Sequence, residues 1–341
     1  MKGSMNYSTG IFLLFLLLAI VFPFLSPSPY LIHILIYIFI WSSITTAWAY
    51  MGRFGLVSLC HGAFIGIPAY AAGLLFNYYH LNPWIGMLIG LLGVAILAWV
   101  FGYACFRFGV IGHYFAITTL VITELVVVVI MAFREVTGGR LGFTLERISA
   151  RPLYEQLLCL QFESKVYFYY LAILLLLFTL YVWKKIDQSK AQKALKAIGD
   201  DEVAASCMGI PIVKYKTGIT IVSAVVAGIG GVLYAQYTMY VNPISMIGVG
   251  PSLEIIFNAI LGGMFTLLGP MIGTVLITLL QEFVRIYFGV TYMGWSIVGY
   301  AVVIILIIIF LPEGFYGTLR ERFHNAKREK VSIRIPDQQE R

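Results

Sequence analysis

Ala194-Leu-Lys-Ala-Ile-Gly-Asp-Asp-Glu-Val-Ala-Ala-Ser-Cys-Met-Gly-Ile-Pro-Ile-Val-Lys-Tyr-Lys216 is a polar, charged run set between two long apolar segments, 166–184 and 217–240. Its neighbours show what kind of chain it belongs to. The sequence is 60% hydrophobic and only 11% charged, whereas soluble domains carry about 25% charge. So few charged groups cannot cover a water-facing surface. The composition therefore defines an all-α polytopic integral membrane protein. A net charge of +7 is then a statement about orientation, because Lys and Arg collect in cytoplasmic loops. It is no sign of nucleic-acid binding.

A crossing helix needs about 17–25 mostly apolar residues. Ten segments meet or approach that length: 11–25, 30–50, 57–77, 84–106, 113–133, 166–184, 217–240, 252–264, 268–287 and 294–311. The first follows Lys2 and could be mistaken for a signal peptide. Its exit, Ser26-Pro27-Ser28-Pro29, lacks a small-residue cleavage pattern and further spans follow directly, so it is read as the first span. The eighth is too short to cross in a straight line. Gly262, Gly263, Gly269 and Pro270 lie between it and the ninth and mark a helix break or hinge. Interrupted helices are tolerated where they are buried in protein or line a cavity, which makes this pair a candidate pathway element.

Placing both termini in the cytoplasm puts Lys2, Arg53, Arg107, the basic loop 185–216 and the tail 317–341 on one side. These hold most of the 23 Lys and Arg residues, and the opposite orientation would translocate two basic segments. The loop 134–165 falls outside, where Glu135, Glu146, Glu155 and Glu163 offset its basic residues. The membrane domain is thus residues 1–316, with the cytoplasmic loop inserted in it.

Within that loop, Ala191, Ala194, Leu195 and Ile198 fall on one helical face up to Gly199. Asp200, Asp201 and Glu202 then supply an acidic first turn for a second short helix. Met208-Gly209-Ile210-Pro211 ends it, with Gly for the C-terminal turn and Pro soon after. A helix this short is marginal by itself and must dock on something. Its small residues Ala204, Ala205 and Ser206 permit close approach to a groove.

Glu202-x-Ala204-Ala205-x-x-x-Gly209 resembles the loop by which permeases of ATP-binding-cassette importers insert a short helix into an ATPase subunit. The wider run is similar to permease subunits of branched-chain amino-acid importers and the related urea/amide importers. Four further stretches are similar to that family in the same order: Gly55–Tyr70, Tyr114–Leu120 with Glu124, Leu261–Pro270 and Leu311–Phe315. Departures stand at Cys60, Pro68 and Phe265, each where the family has Gly, at His113, and at Arg140-Leu141-Gly142. The resemblance implies a multi-pass protein of the bacterial cytoplasmic (inner) membrane that works with ABC ATPase subunits, a second homologous permease and a periplasmic solute-binding protein. Asp201, Glu202, Ala204, Ala205 and Gly209 are then the ATPase-coupling residues.

Polar groups inside the spans are the candidates for the solute pathway. A charge at Glu124 costs at least ~2.5 kcal/mol at mid-membrane and calls for a cavity or a partner. Ser58, His61, Thr119 and Asn258 complete the set, each with the alternative of a purely structural hydrogen bond. No P-loop motif G-x-x-x-x-G-K-[ST] is present, so the energy comes from another chain. The four cysteines and five histidines show no metal-ligand spacing, so neither metal nor cofactor is expected and no catalytic residue is assigned. A secondary transporter would be expected to carry more intramembrane acids or bases than this, and a membrane enzyme a polar cluster at one face.

Overall fold

The computed structural model describes residues 28–147 and 152–288, together with Ala19, residues 21–25 and Val302. In chain order the helices are α1 (Pro29–Gly52), α2 (His61–Tyr79), α3 (Pro83–Arg107), α4 (Gly112–Ala132), α5 (Arg134–Thr137), α6 (Leu153–Cys159), α7 (Lys165–Gln188), α8 (Lys190–Asp200), α9 (Glu202–Cys207), α10 (Ile212–Thr238), α11 (Pro243–Met246), α12 (Val249–Gly262) and α13 (Gly269–Phe288). Several starts are written locally. Ser28-Pro29, Asn82-Pro83 and Asn242-Pro243 each place a capping oxygen before a proline, and all three side chains accept a backbone N–H of the first turn.

Seven described segments are long and apolar enough to cross a membrane: α1, α3, α4, α7, α10, the stretch Pro243–Gly262, and α13. The expected segment 57–77 is helical only from His61, as α2, and falls short of that apolarity. Its position explains why. α2 is walled by protein: Gly90 of α3 lies on Pro68, Gly231 of α10 on Ile65, and Gly62 on the Ile247 carbonyl, so closely that a Cβ at any of these glycines would collide. A helix packed this way needs small residues at its contacts more than lipid-like ones. Segment 11–25 lies largely outside the described residues, as do 294–311, the motif Leu311–Phe315 and the tail 317–341.

The bundle has two ends. At one, Arg53 pairs with Asp187 at 2.7 Å and stacks on Trp183, close to α8 and the turn 263–268. This is the end that carries the basic loop, and we term it the inner end. At the other, β1 (Phe143–Thr144) pairs antiparallel with β2 (Tyr240–Val241), and Tyr30 donates to Glu282, which also holds Arg285. The loop after α4 is thereby stitched to the end of α10. Gly142, at φ +72°, is required there because a side chain would strike the Val241 carbonyl.

Candidate coupling site and membrane core

At the inner end, α8 buries Ala194, Leu195 and Ile198 and leaves its lysines outward. Asp201 then caps α9: its Oδ1 accepts from the amides of Val203 and Ala204 at 2.8 and 3.0 Å. The stop is at Gly209, φ +77°, where the Ile210 amide reaches back to the Ala205 carbonyl at 3.1 Å. This closed turn lets a six-residue helix hold its shape.

The five residues expected to couple to an ATPase divide. Ala204 and Gly209 face solvent, Ala205 is buried, and Asp201 is the cap. Glu202 turns back onto its own chain: its Oε2 accepts from Lys216 Nζ at 2.6 Å, with the Lys216 side chain 6% exposed and that of Glu202 31%. Lys216 sits in the first turns of α10, over the ring of Phe106. Two residues that the motif passes over, Val203 and Met208, are large apolar side chains exposed on the helix and its stop. Exposed apolar side chains on a rigid tip are what a docking helix presents. The available signal was their position in the polar run, off the buried face of α8. At the same end a cavity of about 950 Å³ opens between α8, Arg53 and the turn 265–268, with Phe265 at its edge.

Deeper in, residues 55–60 run without helical structure into the bundle before α2 begins. Non-helical backbone at membrane depth survives only where protein satisfies it, and here side chains do so. Thr119 Oγ1 accepts from the Leu59 amide at 2.9 Å, Thr123 donates to the Leu59 carbonyl at 2.8 Å, and Trp48 Nε1 donates to the Ser58 carbonyl at 2.8 Å. Ser58 Oγ accepts from Cys60 N, and Ser252 Oγ from Gly62 N. Ser58 and Thr119, expected along a pathway, are thus bound to this re-entrant backbone.

His61, fully buried at the start of α2, contacts Ser223 Oγ at 2.8 Å through Nε2. Ser223 spends its one proton on the Ala47 carbonyl at 2.7 Å, so Nε2 carries the imidazole proton and donates. His61 therefore clasps α1, α2 and α10 together. Asn258 is buried at the crossing of α12 and α13, where Gly273 lies on its carbonyl, and its Oδ1 has no hydrogen-bond partner. Glu124 is placed apart from all of these, exposed on the outer side of α4.

The four residues expected to mark a helix break or hinge lie where α12 ends and α13 begins. Gly262, Gly263, Gly269 and Pro270 build a tight turn at the inner end, with Gly262 against the Gly269 carbonyl and Thr266 bonded to both Gly263 and Gly269. The interruption inside the bundle lies on the other side of α12, at 242–248. There Ile247 meets Gly62 and Gly66, so the breaks before α2 and α12 pack against each other.

A bundle of apolar helices with two mutually packed interruptions and a short exposed helix at one end is the architecture of a multi-pass membrane protein. Residues 30–311 match the family model described as "Branched-chain amino acid transport system / permease component". The chain belongs to that family. It is 27% identical over 287 residues to the high-affinity branched-chain amino acid transport system permease protein LivM of Escherichia coli, covering 79% of this chain and 66% of LivM. LivM of Salmonella typhimurium is 26% identical over the same span, and LivH of Escherichia coli 27% over 132 residues, 39% of this chain and 41% of LivH. The chain thus spans about two thirds of the length of the LivM relatives. No solved structure matches it.

Proposed function

We propose that this chain is a permease subunit of an ATP-binding-cassette importer in a bacterial cytoplasmic membrane, with both termini in the cytoplasm. With a second homologous permease it forms the path for a small polar solute, branched-chain or other amino acids. Separate ATPase subunits grip α9, and a periplasmic solute-binding protein delivers the solute at the outer end, near residues 134–165. The relatives' names support the amino-acid reading over a urea or amide solute.

The observation that carries this reading is the exposed, doubly terminated α9 at the inner end, tied through Glu202–Lys216 to α10. A displacement of α9 by its ATPase passes through that ion pair into α10. Ser223 of α10 in turn holds His61 of α2 and the Ala47 carbonyl of α1. The three helices then move as one block against the interrupted segment 242–262, giving two packings that nucleotide state can select.

The test is ATP-dependent uptake by the complete complex in proteoliposomes. Replacing Gly209 with Val or Glu202 with Lys is expected to lower uptake at least tenfold while the chain still inserts and assembles. Undiminished uptake by both variants would overturn the coupling role. Gradient-driven uptake by this chain alone would instead make it a secondary transporter.

A further inference from the structure

The exposed faces of the described spans are of two kinds. Those of α3 and α7 carry aliphatic and aromatic side chains along their middle turns, with Lys and Arg only at their ends. Such faces suit lipid. α4 differs: it is the least buried of the spans, and Glu124 stands on its exposed side, flanked by Val121, Leu125 and Val128. Twelve residues from the start of α4, Glu124 lies about 18 Å from the inner end. Among the described spans two other carboxylates lie well inside a helix, Glu254 and Glu282, and both are paired: Glu254 accepts from Gln281 at 3.0 Å, and Glu282 from Tyr30 and Arg285 at 2.6 Å. Glu124 has no such partner within this chain among the described residues.

A second observation falls at a similar depth. α12 has 14 residues and its far end is at the inner side, so its first turn lies about 20 Å up, within the hydrocarbon thickness. That first turn is open, because Gly250 is exposed and nothing lies within 4 Å of where its Cβ would be. α11 and α12 pack against α4. An ionisable side chain and the polar start of a helix therefore lie at a similar depth on two helices that touch, each open on this chain's surface. Lipid satisfies neither of them.

We propose that the α4–α12 seam is the surface on which a second, homologous permease subunit docks, with Glu124 and the first turn of α12 covered by that subunit. A homologue is favoured over a second copy of this chain because the sequence matches two kinds of permease, LivM and LivH. A partner of the same fold would bring its own interrupted segments to this depth and so supply polar groups where lipid cannot. This inference rests on the permease reading above and adds where the subunits meet.

The experiment uses the complete complex in proteoliposomes, with single cysteines at Leu125 or Val128 and, as lipid-facing controls, at Leu92 or Ile96 of α3. Three of the native cysteines (Cys60, Cys105, Cys159) are buried or half-buried, and Cys207 is replaced by Ser. A short bifunctional thiol reagent is expected to join Leu125→Cys or Val128→Cys to an engineered cysteine series on the second permease, and to join neither control. A fluorophore at 125 is expected to escape quenching by spin-labelled acyl chains, and one at 92 to be quenched at least threefold more strongly. Strong quenching at 125 in a complex that still transports would overturn the seam and leave the permease reading standing. Cross-linking at 125 only to a second copy of this chain would overturn the choice of partner. If no second permease or ATPase co-purifies with the chain, the permease reading itself fails.

Discussion

Lys216 brings an ammonium group into a site where 6% of its side chain meets solvent, and one carboxylate answers it. Removing that ammonium leaves Glu202 partly desolvated and unpaired. The loss is expected to be about 1–3 kcal/mol, below the range for a fully buried pair because Glu202 keeps contact with water. Lys216→Met should therefore lower the thermal midpoint of the detergent-purified complex by a few degrees. Lys216→Met/Glu202→Met should recover part of that loss, since both charges are then gone. A double variant no more stable than Lys216→Met would show that the pair is not coupled. The same logic applies deeper at Ser223, whose hydroxyl serves His61 and the Ala47 carbonyl at once. Ser223→Ala strands the imidazole N–H and should cost about 1–3 kcal/mol. Ser223→Thr keeps the hydroxyl and should cost less.

The re-entrant segment 55–60 shows how elements are held and why some were hidden in the sequence. Span lengths were legible, because lipid demands a long apolar run whatever lies beyond it: 84–106 is α3 and 113–133 is α4, each to within a residue or so. The α9 start and stop were legible too, since Asp201 and Gly209 act on their own neighbours. The start of α2 was not. Nothing local marks 57–60 as non-helical; the cause lies in Trp48 of the preceding helix and in Thr119, Thr123 and Ser252, distant in sequence. Nor could the direction of Glu124 be read, because the polar residues of α4, Thr118, Thr119, Thr123 and Glu124, are spread around the helix and form no single stripe to orient it. Thr119→Val removes the acceptor for the Leu59 amide and should destabilise the fold by about 1–3 kcal/mol. Thr119→Ser should restore most of that, as read by denaturation in detergent. Equal losses in both would argue that the methyl packing matters and the hydroxyl does not. Gly62→Ala would drive a methyl into the Ile247 carbonyl, where overpacking typically costs about 1–3 kcal/mol. Gly55→Ala meets no neighbour, and only its positive φ opposes it. Gly62→Ala should therefore show the lower yield of folded complex.

Across the whole molecule, one chain of contacts runs from the inner surface to the interruptions: α9, the Glu202–Lys216 pair, α10, then Ser223, His61 and the start of α2. Motion imposed at the tip has a packed route to the segments best able to change their arrangement. This requires that Val203 and Met208, 74% and 82% exposed here, be covered by an ATPase in the working assembly. Placing a single cysteine at Met208 of the complete complex and probing its distance to the ATPase subunits tests that directly. A short thiol cross-linker should join residue 208 to an ATPase subunit, with a yield that changes between nucleotide-free and ATP-bound states, and uptake should fall when the link is made. A residue 208 that labels freely with water-soluble reagents in every nucleotide state, while the complex imports its solute, would contradict the account.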